Sequence, residues 1–60
     1  MTVRDLYIHS DDKQEFILFM DGETKPFFKG NLEYCTAELF DRLVYKFHAI
    51  DFNMIEVVLR

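Results

Sequence analysis

Sixty residues, half of them apolar and seven of them phenylalanine, make one domain near the lower size limit for unaided folding, because a chain this short buries only about 60% of its unfolded surface. That apolar fraction excludes a disordered chain. Eleven acidic against seven basic residues leave a net charge of −4, which repels phosphate backbones and weighs against DNA or RNA binding.

The single cysteine, Cys35, excludes an intramolecular disulfide, a CxxC redox motif and a cysteine-based zinc site. It suits a reducing compartment. No apolar run approaches the roughly 20 residues of a membrane helix, and Met1-Thr2-Val3-Arg4-Asp5 lacks the apolar core of a signal peptide. A cytoplasmic protein without membrane contact is expected.

Taken in order, Thr2 can cap a first helix near residues 2–8, with Asp5 three positions on in a weak capping box and Val3, Leu6 and Tyr7 on one face, although a strand through Val3, Leu6 and Ile8 is an alternative whose spacing breaks alternation. His9 to Gln14 is polar throughout and reads as a loop. Residues 15–20, rich in aromatic and branched side chains, read as a strand. Asp21-Gly22 marks a reversal that a two-residue or a four-residue loop satisfies equally. A return strand over 25–29 carries Pro26, which lacks a backbone donor and therefore belongs at a sheet edge.

Thr36 is a good N-cap for a short helix near 36–41. Beyond it the signal is double. Leu39, Phe40, Leu43, Val44 and Phe47 fit a longer helix running to about His48. The alternation of Leu43, Tyr45, Phe47 and Ala49 with Val44, Lys46, His48 and Ile50 fits a strand over 43–49. Branched and aromatic propensity favours the strand, as does the lack of a nearby Gly or Asn to cap a helix. A closing strand follows over 54–59. The fold class is α+β: a small, mostly antiparallel sheet of about four strands with one or two short helices.

Few side chains carry chemistry. His9, His48 and Cys35 have no metal-ligand spacing, and no base is placed by the sequence to activate the thiol. The acids Asp11, Asp12, Asp21 and Glu23 form an oxygen-rich cation site only if their two loops share one end of the sheet, and they lack the order of a calcium loop. With Gly22 and Gly30 the only glycines, a glycine-rich phosphate loop is absent. The sheet aromatics lack the surrounding cations that base stacking needs. No catalytic residue, metal or cofactor is expected, so a non-enzymatic protein is.

Thr2-Val3-Arg4-Asp5-Leu6, the acidic loop before Phe16, Phe28-x-Gly30, Glu38-Leu39-x-Asp41-Arg42-x-Val44 and Ile55-x-Val57 together resemble small proteins encoded by phages and conjugative elements of low-GC Gram-positive bacteria. The resemblance spans nearly the whole chain and favours the strand reading of 43–49. It implies no activity. Where that group commonly has Asp-Gly between its last two strands, this chain has Asp51-Phe52-Asn53.

One sheet face can be filled by Phe16, Leu18, Leu43, Tyr45, Phe47, Ile55, Val57 and Leu59. Strict alternation then sends Ile17, Phe19, Val44, Met54 and Val58 to the other face, where no further element is available to cover them. A homodimer through that face, or through an unpaired edge of the closing strand, is the expectation. The function expected is a self-associating interaction module of a mobile element that binds a host or element protein. The alternative is an acidic nucleic-acid mimic occupying a basic groove, although its acids are spread along the chain rather than gathered in a row.

Overall fold

The computed structural model describes all residues, Met1–Arg60. Two β-hairpins lie side by side in one four-stranded sheet. The strands are β1 (Glu15–Met20), β2 (Phe28–Gly30), β3 (Val44–Asp51) and β4 (Met54–Leu59), in the spatial order β2-β1-β4-β3. Pairing is antiparallel within each hairpin and parallel between β1 and β4. Two helices, α1 (Val3–Ile8) and α2 (Ala37–Phe40), and a 3₁₀ turn over Leu32–Tyr34 complete the α+β fold. No helix is long and apolar enough to cross a membrane.

Local chemistry explains the helix start. The Thr2 backbone N–H donates to Asp5 Oδ2 at 2.8 Å and the Asp5 N–H donates to Thr2 Oγ1 at 3.4 Å, closing the expected capping box. Val3 and Leu6 then point into the core. Thr36 takes the N-cap position of α2 without a side-chain hydrogen bond. The two helices are tied by the Tyr7 and Phe40 rings, whose centroids are 5.3 Å apart, and by Arg4, which reaches Asp41 Oδ1 at 3.2 Å.

The core consists of Val3, Leu6, Phe16, Leu18, Leu32, Val57 and Leu59. Phe16 and Leu18 of β1 stand beside Ile55 and Val57 of β4 in the parallel ladder, so one sheet face carries most of the burial. Both central strands have paired edges on each side.

Several expectations need correction. The closing strand has no unpaired edge, because β4 sits between β1 and β3; the long free edge belongs to β3. Val44 does not face outward: it lies opposite Leu59 and packs against the core, while Leu43 and Tyr45 are each 53% exposed. The cause is a β-bulge. Val44 pairs with Leu59 and Lys46 with Val58, leaving Tyr45 as an extra residue that reverses the alternation.

The first turn also differs. Strand β2 starts at Phe28, after Pro26 rather than before it, so the β1–β2 loop is longer than either Asp-Gly alternative. Glu23 N–H donates to the Met20 carbonyl at 3.0 Å, with Gly22 at φ 87°. Only Gly22 in this turn has positive φ, which excludes the type I′ geometry that needs two such residues. Between β3 and β4, Asp51 pairs with Met54 around the two residues Phe52 and Asn53, neither with positive φ. A two-residue loop of that kind splays the strands. The second bulge, which leaves Ile50 extra, sits next to this turn and adds local twist.

Candidate interaction site

The register ladders map the outer sheet face residue by residue. Phe19 stands beside Val58 and Val58 beside Lys46; Lys29, Ile17, Glu56 and His48 form the next row; Glu15, Met54 and Asp51 form the third. Four of the five residues named from alternation, Ile17, Phe19, Met54 and Val58, therefore share this face, and Val44 does not. Each is half-buried, although both helices contribute to the opposite side. Glu56 lies among them and reaches His48 Nε2 at 3.7 Å.

A second open surface is the β3 edge. Every residue of β3 except Val44 is exposed. Only its start is covered: the Val44 N–H donates to the Met1 carbonyl at 2.8 Å, and Thr2 bridges Leu43. Beyond that point the strand has no hydrogen-bonded neighbour on its outer side. Lys46 Nζ and Arg60 lie 5.8 and 5.7 Å from the centre of the Tyr45 ring, within reach of its π face. At the hairpin tip Phe52 is 94% exposed.

A third feature was not legible in the sequence. A groove of about 340 Å³ runs between α1 and the inner sheet face, floored by Leu6, Phe16, Phe47 and Ile55 with Met1 at one side. Its rim carries Asp5, His9, Ser10, Asp11 and Gln14, and no Lys or Arg. Its walls are the six-residue α1, the loop that follows it and the sheet.

The ionisable groups are all at or near the surface, since no polar or charged residue is buried. The Thr2 backbone N–H holds the Asp5 carboxyl below its ordinary 3.8; desolvation opposes it, and the Thr2 hydroxyl, the Met1 amine and His9 add to the lowering. Burial pushes the Cys35 thiol above its ordinary 9.0. Tyr34 is raised by its side-chain hydrogen bond to Glu33. His9 lines the groove, His48 lies on the outer face and Cys35 packs against the core. No three His, Cys, Asp or Glu side chains gather as metal ligands. The loops of Asp11-Asp12 and Asp21-Glu23 lie before and after β1, at its opposite ends, so they do not converge.

Compared with family models, curated proteins and solved structures, the chain matches none.

Proposed function

We propose that the protein is a non-enzymatic interaction module that associates with itself through its outer sheet face and engages a protein of its host or of the mobile element that encodes it. The supporting observation is the outer face itself: Phe19 and Val58 stand side by side, and Ile17 and Met54 lie around Glu56 on the same face, all four half-buried. Apolar side chains gathered on one open sheet face mark interaction sites more often than singly scattered ones. A two-fold interface needs only one such patch. The resemblance to phage and conjugative-element proteins supports the biological setting.

The nucleic-acid-mimic reading has less support. Lys29 and Lys46 share the outer face with Glu15 and Glu56, which breaks up any row of carboxylates there.

Light scattering during gel filtration at micromolar concentration tests self-association. The expected mass is twice the 7.3 kDa of one chain, and Val58→Lys is expected to return it to the single-chain value with the melt intact. A wild-type protein that elutes as a single chain overturns the reading.

A further inference from the structure

The β3 edge and the groove beside it form one feature. Strand β3 is eight residues long, and between its bulges at Tyr45 and Ile50 the stretch Lys46–Ala49 keeps an open outer side, whose free N–H and C=O groups can template another strand. The other edge, β2, has only three residues and follows Pro26. In a strand added to β3, side chains would alternate between the two sheet faces. Those on the inner face would fall beside Phe47, the edge-strand residue of the groove, which is 46% exposed and leaves the groove open on that side.

Charge selects the occupant. The groove floor is apolar, and its rim presents Asp5, which faces Thr2 and the Met1 amine, and Asp11, with no Lys or Arg beside either. A second copy fits badly: in an antiparallel two-fold pair its β3 would turn Val44, Phe47 and Ala49 toward the same inner face and carry Lys46 and His48 to the outer one. The two carboxylates would then gain no cation. A foreign strand is under no such constraint.

We propose that the β3 edge takes up an extended basic peptide segment as a fifth strand, with an apolar side chain seated in the groove against Phe47 and a Lys or Arg two residues to either side of it facing Asp5 and Asp11. Main-chain pairing gives affinity in this mode, and alternate side chains give specificity. The inference deepens the interaction-module reading and rests on it, but uses a surface separate from the self-association face.

The probe is a fluorescein-labelled Thr-Lys-Thr-Phe-Thr-Lys-Thr peptide, read by anisotropy against the whole protein at low salt, with a Glu-for-Lys peptide as its counterpart. The basic peptide is expected to bind saturably and the acidic one not to bind. Asp11→Lys should weaken binding about tenfold, the size of one lost charge-assisted contact, whereas Asp12→Lys, which makes the same change in net charge outside the groove, should stay within about twofold. Two further peptides, methylated on the Thr nitrogens or on the Lys and Phe nitrogens, report the edge: one is expected to lose binding and the other to keep it. Equal loss in Asp11→Lys and Asp12→Lys, equal binding of both methylated peptides, or no binding of the basic peptide overturns the inference. If the scattered mass still shows a dimer, the inference falls alone and self-association stands.

Discussion

Phe47 and Val57 oppose each other across the β3–β4 ladder on the inner face of the sheet, yet Val57 is fully buried and Phe47 keeps 46% of its surface. Helical cover runs out between these two neighbours. The same face is core at β4 and groove wall at β3, so substitutions at the two positions should separate.

Val57→Asp is expected to unfold the protein, because burying an unpaired carboxylate costs several kcal/mol against a total stability of about 5 to 15 kcal/mol. Phe47→Ser should cost about 1 kcal/mol or less, since half of the ring is already in water. Circular dichroism melts compare them. A cooperative Val57→Asp melt at the wild-type temperature would contradict the assignment of the core.

The Asp5 carboxyl titrates below its ordinary 3.8, chiefly through the Thr2 backbone N–H. Its folded value is depressed relative to the unfolded chain, so its contribution to stability is complete above the unfolded value and is lost as pH falls through the folded one. The wild-type melting temperature should therefore fall in that acid window more steeply than that of Asp5→Ala. Carbon NMR of the Asp5 carboxyl locates its midpoint directly, and a midpoint at or above 3.8 would remove the effect.

Cys35 gives the opposite sign. Burial raises its thiol above 9.0, so the folded state disfavours the thiolate, and the associated stability is present below the unfolded value and lost as pH rises through the folded one. Iodoacetamide at pH 8 should label Cys35 more slowly in the folded protein than in urea, since the thiolate is the reacting species. Equal rates would place the thiol in free solvent.

Asn31 makes two contacts at once. Its Oδ1 accepts the Glu33 N–H at 2.9 Å, capping the 3₁₀ turn that buries Leu32, and its Nδ2 donates to the Asp12 carbonyl across the chain. Asn31→Asp keeps the cap and loses the donor; Asn31→Ala loses both. The Ala variant should cost about 1 kcal/mol or more, as lost caps do, and the Asp variant less. Urea unfolding that ranks Asp at or below Ala would show that the Asp12 contact dominates.

Whatever depends on neighbours in sequence was legible. The Thr2–Asp5 capping box and the apolar run over 15–20 are local patterns that form where they lie, and the alternation read over 43–49 marks the strand that spans Val44–Asp51. Strand order was not legible: placing β4 between β1 and β3 is a long-range choice that no short window encodes. The bulge at Tyr45 was hidden for another reason. Val44, Tyr45 and Phe47 all suit a strand, so nothing in their types marks where the alternation skips, and one skipped residue moves Val44 inward and Tyr45 outward. The groove followed neither from pattern nor propensity, because its lining joins α1, the loop after it and three strands that are distant in sequence.

That skipped residue yields the most discriminating pair of substitutions. Under strict alternation Val44 and Phe19 share the outer face, and a lysine at either would disturb self-association alone. With the bulge, Val44 stands opposite Leu59 against the core, while Phe19 stands beside Val58 on the open face. Val44→Lys is therefore expected to lower the melting temperature, by an amount corresponding to about 1 to 3 kcal/mol for a charge brought against packed apolar groups, and to leave the mass of the proposed dimer unchanged wherever the protein remains folded. Phe19→Lys should do the reverse, halving the scattered mass while the single-chain melt survives, because its ring meets no helix. Light scattering and thermal melts on the two variants read both quantities. A loss of mass in Val44→Lys with an unchanged melt would restore the strict alternation and remove the bulge as the feature that defines the two faces.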